Sequence, residues 1–156
     1  MNSTSILYVE DEETDVTLLQ HVLAKAGIRN PLQTAKDGKA AKAYLAGDGP
    51  FADRKRYPLP GLVLLDLNLP YWSGFEVLEW LRRQPGLRRL PVVVFTSSNR
   101  PDDILRAYDA GANAYLVKPS SLSELATLAL ALRDFWLIHN RLPDQAGVQP
   151  PAPPAS

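Results

Sequence analysis

Four short apolar runs constrain this chain more than anything else in it: Ile6–Val9 (ILYV), Leu62–Leu65 (LVLL), Val92–Phe95 (VVVF) and Ala114–Val117 (AYLV). Each is about one strand long, and each is bounded by polar residues. A strand with no polar face must be covered on both sides, which is the habit of parallel sheets sandwiched between helices. Leu32–Ala35 (LQTA) is a weaker fifth strand, placed because the alternation needs one.

Helical patterns lie between the runs. Val16, Leu19, Leu23 and Ala26 recur at helical spacing, and Gly27 stops that helix. A second helix fits Asp37 to Leu45, and Ser73 caps a third with Val77, Leu78 and Leu81 inward. Pro101 opens a fourth, with Asp102 and Asp103 favourable to its dipole, and Gly111 ends it. A fifth starts near Ser121 and runs to about Asn140. Strict alternation of five strands and five helices predicts a doubly wound α/β fold with a five-stranded parallel sheet. Such folds bind ligands beyond the carboxyl ends of their strands.

Composition narrows the function classes. The 156 residues suit one domain, expected over 1–142, followed by a Pro-rich tail over 143–156 expected to be flexible. Lys plus Arg and Asp plus Glu number 17 each, and that balance argues against a nucleic-acid binder. The absence of cysteine excludes disulfides, thiolate zinc sites and cysteine nucleophiles. No apolar run is long enough to cross a bilayer, and the N-terminus turns acidic too early for a secretory signal. The expectation is a soluble, cytoplasmic, single-domain protein.

The strand ends carry the chemistry. The first run is followed by Glu10, Asp11, Glu12 and Glu13, the LVLL run by Asp66, VVVF by Thr96, Ser97 and Ser98, and the last by Lys118. In a parallel sheet these residues converge on one edge. The carboxylates of Glu10, Asp11 and Asp66 repel one another unless a cation joins them. An incomplete set of hard oxygen ligands favours magnesium, which often shares a phosphate. Lys118 is a point cation for phosphate oxygens, and Thr96 is a hydroxyl donor. Together they describe a phosphoryl site with Asp66 as a carboxylate nucleophile. Taken alone, Asp66 reads as a turn acid; its company at the other strand ends argues otherwise. Glu12, Glu13, Asp15 and Asp37 read as solvated first-turn acids, and Arg54–Arg56 (RKR) as a solvated loop face.

The motifs YVEDEETDV, LLDLNLP, VVVFTSSN and GANAYLVKP occur in this order and resemble the receiver domains of two-component response regulators, from Ile6 to about Arg133. The resemblance implies a flavodoxin-like sheet of order 2-1-3-4-5. It implies that Asp66 is the phosphoacceptor, that Glu10 and Asp11 are the acidic pair, and that Asp11 binds Mg2+ directly. Asn68 matches the position that lends the metal its backbone carbonyl. Lys118 matches the lysine that pairs with the phosphoryl group, Thr96 the switch hydroxyl and Tyr115 the aromatic that turns with it. Lys118–Pro119 matches a bond usually cis in the family. Glu10 stands where an Asp is commoner, which leaves its reach to the metal direct or through water. Ser98 and Asn68 match positions that tune phosphoryl lifetime. The long connection Ala46–Gly61, the LLDLNLP wording and DFWLIHNRLP further resemble regulators paired with bacterial and cyanobacterial phytochromes. A sensor histidine kinase is the implied partner, with a bacteriophytochrome the kind this closer resemblance suggests, and the chain is expected to act without an output domain.

The last helix carries two apolar stripes. Leu122, Leu125, Ala129, Leu132 and Trp136 would cover the sheet; Leu128, Ala131, Phe135, Ile138 and Leu142 form a second stripe beside them. The second stripe predicts a homodimer. Two other functions compete. A haloacid dehalogenase-type aspartyl-phosphate phosphatase usually has a second acid two residues past the nucleophile, where this chain has Asn68. A non-catalytic flavodoxin-like binding module has no need of Asp11 and Lys118 together.

Overall fold

The computed structural model describes residues 4–143. Most of the proline-rich tail, from position 144 on, lies outside the described residues. The strands are β1 (Ile6–Val9), β2 (Leu32–Ala35), β3 (Leu62–Leu65), β4 (Val92–Thr96) and β5 (Ala114–Val117). All pair in parallel, in the order β2-β1-β3-β4-β5. The helices are α1 (Glu13–Lys25), α2 (Gly38–Ala46), α3 (Gly74–Arg83), α4 (Pro101–Asp109) and α5 (Leu122–Leu132).

Alternation along the strands sorts the apolar runs into two cores. Leu7, Val9, Val63, Leu65, Val92 and Val94 face one side, against Tyr44 of α2 and Val77, Leu78 and Leu81 of α3. Ile6, Tyr8, Leu62, Leu64, Val93 and Phe95 face the other, against Leu19 and Val22 of α1 and Leu125 and Ala129 of α5. A period of two with both faces filled is why these runs contain no polar break. The edge strands are less covered: β5 is half-buried and Val117 exposed, and only Ala35 of β2 is fully buried.

Helix ends follow local chemistry. Asp37, Ser73 and Ser121 each accept a hydrogen bond from a backbone N–H three residues on, capping α2, α3 and α5. Pro101 stands in the first turn of α4, where its missing N–H costs nothing. Beyond α5 the chain widens into a π-helical stretch, Arg133–His139, closed by a bond from Asn140 N–H to the Phe135 carbonyl at 2.6 Å.

The Ala46–Gly61 connection is built around one cation rather than left to solvent. Arg54 was expected on a solvated face, but it is half-buried and donates to the Tyr44 and Leu45 carbonyls at 2.8 and 2.9 Å. Carbonyls in the last turn of a helix run short of i+4 partners: among the described residues Tyr44 has only the Gly47 N–H at 3.2 Å, and the guanidinium bonds both Tyr44 and Leu45. Phe51 and Tyr57 pack with Tyr44 into an aromatic cluster beneath it.

The last-helix stripes divide differently from the expectation. Leu125, Ala129 and Leu132 are buried, but Leu122 at the start of the first stripe is exposed. Of the second stripe, Leu128 packs against the core, and Leu142 lies close to Gly61. Phe135 and Ile138 remain 55% and 58% exposed. The wider π turn breaks the 3.6-residue spacing on which the stripes were drawn.

Candidate functional site

The sheet brings Glu10, Asp66, Thr96 and Lys118 to one edge, as the parallel topology requires. Glu10 and Asp66 follow β1 and β3, Thr96 ends β4 and Lys118 follows β5. Glu10, Asp66 and Thr96 are buried, while Asp11 is exposed at the rim. Carboxylate oxygens of Glu10, Asp11 and Asp66 all lie within 4.8 Å of one another. That donor set fits a hard divalent cation that keeps water in its remaining positions.

Backbone amides fix the acids. Asp66 Oδ1 accepts from Leu67 N–H at 2.7 Å and more weakly from Asn68 N–H at 3.4 Å. Glu10 Oε2 accepts from Asp11 and Glu12 N–H at 3.0 and 3.2 Å, and its Oε1 accepts from the Tyr8 hydroxyl and from Lys118. Both oxygens of Glu10 are therefore engaged, one by the chain entering α1 and one by side chains. Asn68 is exposed, and among the described residues no hydrogen bond uses its carbonyl.

Lys118 is the hub. Its ammonium pairs with Glu10, with Asp15 at 2.8 Å and with Asp66 at 2.9 Å. Burial lowers its proton affinity, but the bonds to Asp15, Glu10 and Asp66 overcome this and raise it above the ordinary lysine value. Burial pushes Asp66 up, yet the Thr96 hydroxyl and the Lys118 ammonium outweigh it and hold the carboxyl below its usual range. Glu10 goes the other way. Its burial, with the Asp66 charge beside it, exceeds the pull of Lys118 and raises it to about 7. Thr96 Oγ1 lies near enough to favour the Asp66 anion, yet it is buried with no completed hydrogen bond of its own among the described residues.

Asp15 was expected to be a solvated helix acid and is instead the third partner of Lys118. Four residues before Leu19 and seven before Val22, it falls on the core-facing side of α1, which is the signal that could have identified it. Lys118–Pro119 was expected to be cis; no peptide bond among the described residues is, and trans is the intrinsically favoured form. The lysine is aimed by its own N–H, bonded to the Thr96 carbonyl at 2.7 Å, and by its three acids. The Tyr115 hydroxyl donates to the Ser98 carbonyl at 2.9 Å and ties β5 to the loop that follows Thr96. Ser98 donates to Asp103 at 2.5 Å and accepts from Arg100 N–H, so it serves the entry to α4.

The loop after Asp66 is tightly drawn. Gly74 N–H bonds the Leu67 carbonyl at 2.8 Å, and a Cβ at Gly74 would overlap the Asp66 carbonyl. Trp72 packs against the core under the Lys42 ammonium, 4.7 Å from its ring. Tyr71 is 81% exposed and holds a left-handed backbone, φ 68°.

Residues 6–130 match the family model described as response regulator receiver domain. The response regulator Rcp1 of Synechocystis sp. is 41% identical over 88% of this chain and 92% of its own length. Its Mn2+-bound crystal form superposes with a TM-score of 0.79, at 40% identity over 90% of this chain and 99% of that one. The phosphorylated cyanobacterial phytochrome response regulator RcpA matches at TM-score 0.84, with 39% identity over 91% of this chain and 99% of that chain. Response regulator RPA3017, from red light signalling in R. palustris, matches at 0.85, with 36% identity over 90% and 98%.

Proposed function

We propose, for a chain that belongs to the response regulator receiver family of two-component signalling, that Asp66 is the carboxylate on which it takes a phosphoryl group from a sensor histidine kinase. An Asp66 oxygen forms the new O–P bond, the N–P bond of the kinase phosphohistidine breaks, and the freed imidazole takes up a proton. Glu10, Asp11, Asp66 and the Asn68 carbonyl would hold a magnesium ion, which neutralises repulsion between the anionic acceptor and the anionic donor. Lys118 pairs with the transferred phosphoryl oxygens. Thr96 donates its hydroxyl to them.

The observation that carries this reading is Thr96 Oγ1, a buried hydroxyl beside Asp66 that completes no hydrogen bond among the described residues. A buried donor left unsatisfied is costly, and a phosphoryl oxygen on Asp66 supplies the missing acceptor. The Tyr115–Ser98 bond supports a switch in which movement of Thr96 carries the following loop and Tyr115 with it. The phosphoaspartate then biases a two-state equilibrium.

Likeness to a phytochrome response regulator and to a red-light response regulator supports pairing with a phytochrome-type kinase, and this reading sets the exchange in the cytoplasm. Phe135 and Ile138 support a homodimer through the segment that follows α5, with Leu128 and Leu142 at its margins. The test of the central reading is direct. Incubation with Mg2+ and acetyl phosphate, followed by intact mass, is expected to add one phosphate to the wild type and none to Asp66→Asn. An adduct that survives in Asp66→Asn overturns the assignment.

A further inference from the structure

Among the described residues, Asp15 is the one acid touching Lys118 that neither metal binding nor phosphoryl transfer has used. Its Oδ2 lies 2.8 Å from Lys118 Nζ, and its side chain is about a third exposed, whereas that of Glu10 is fully buried. The ammonium now sits against Glu10 and Asp66, two of the three carboxylates that would take a divalent cation. Two cations on the same oxygens repel, so the lysine must leave those oxygens when the ion enters. A largely buried ammonium cannot leave for nothing: an ion that keeps its burial and loses its partner is strongly destabilised.

Asp15, on α1 rather than at a strand end, already holds the same Nζ. Beside that contact lies a cavity of about 50 Å³, lined by Asp15, Lys118, Tyr8, Leu19, Phe95 and Leu125 among others. It gives the lysine stem room to swing toward α1 without displacing core side chains.

We propose that Asp15 is a positioning residue that receives Lys118 when a divalent cation takes Glu10 and Asp66, so that ammonium and metal share the acidic pocket instead of competing for it. The inference rests on the reading of Glu10, Asp11 and Asp66 as the metal ligands. It assigns Asp15 no contact with metal or phosphate; its effect passes through Lys118.

The experiment is a double-mutant cycle read by calorimetric titration with Mg2+ alone, at pH 8, with no phosphodonor present. Asp15→Asn keeps the size and polarity of the side chain and is expected to weaken Mg2+ binding about five-fold or more, the lower end of ordinary coupling between sites. Asp15→Glu is expected to restore most of the loss. Lys118→Met removes the competing cation and is expected to tighten binding, and adding Asp15→Asn to it is expected to change the affinity less than about two-fold. A loss that persists in full without the lysine marks a long-range charge effect and overturns the positioning role. Equal affinity of wild type and Asp15→Asn also overturns it. A wild type that takes up no Mg2+ overturns the metal reading itself, so the two failures are distinguishable.

Discussion

The Lys118 ammonium lies 2.9 Å from the Asp66 carboxylate although their strands, β5 and β3, are not neighbours: β4 runs between them. One four-carbon side chain thus crosses the end of a strand to reach the acid, and it reaches Glu10 on β1 as well. Lys118→Met is expected to slow adduct formation with acetyl phosphate. A hydrogen bond to a charged group is worth about 1.5–3 kcal/mol, so the rate should fall about 10- to 150-fold. Time-resolved intact mass measures it at saturating Mg2+. An unchanged rate removes Lys118 from the transfer step.

Glu10 supplies a pH dependence in the metal-free protein. Its folded value of about 7 stands above the ordinary 4.5 because of burial and the Asp66 charge. Between those values the folded chain keeps a proton that the unfolded chain has released. Folded protein therefore binds more protons in that window, and the contribution of Glu10 to stability declines as pH rises from about 4.5 to about 7. Glu10→Gln removes the titration. In EDTA, the variant is expected to gain in melting temperature relative to wild type on going from pH 5 to pH 8. A change of 1 kcal/mol is worth about 2–4 °C for a chain of this size. A difference that does not move with pH assigns the titration elsewhere.

Gly74 permits the approach of α3 to the backbone that carries Asp66. A Cβ there overlaps the Asp66 carbonyl and crowds Leu67 Cα. Gly74→Ala is expected to cost about 1–3 kcal/mol by overpacking. It should also slow phosphorylation, because the displaced atoms are those of the proposed acceptor. Melting curves and adduct kinetics, taken on the same variant, check both. Normal values of both would mean that the loop gives way without moving Asp66.

Much of this arrangement can be read along the chain. ILYV, LVLL and VVVF are apolar on both faces because both faces are filled, so β1, β3 and β4 announce themselves. LQTA was harder, since an edge strand with one fully buried residue has little pattern to show. The strand-end residues Glu10, Asp66, Thr96 and Lys118 stood out as polar groups directly after apolar runs. Asp15 did not, because an acid in the first turn of a helix has an ordinary explanation in the helix dipole. Arg54 was hidden in a run of three cations, where only its flanking aromatics, Phe51 and Tyr57, hinted at burial. The π-helical stretch was illegible: its i→i+5 bond depends on packing, and the apolar spacing around it fits an ordinary helix.

The same stretch leads to a final prediction. Phe135 and Ile138 are more than half exposed on neighbouring turns, and Phe135 is braced edge-on against Trp136 with ring centroids 4.7 Å apart. Large apolar side chains held in place at the surface mark a contact more often than an accident when they are contiguous. The wild type is expected to sediment as a dimer at micromolar concentration. Phe135→Glu combined with Ile138→Glu places two like charges on each side of the contact and is expected to give a monomer. Because neither side chain is in the core, the variant should keep its melting temperature under conditions where the wild type is monomeric. A wild type that stays monomeric, phosphorylated or not, rules out the dimer. A dimer that survives both substitutions moves the contact to another face.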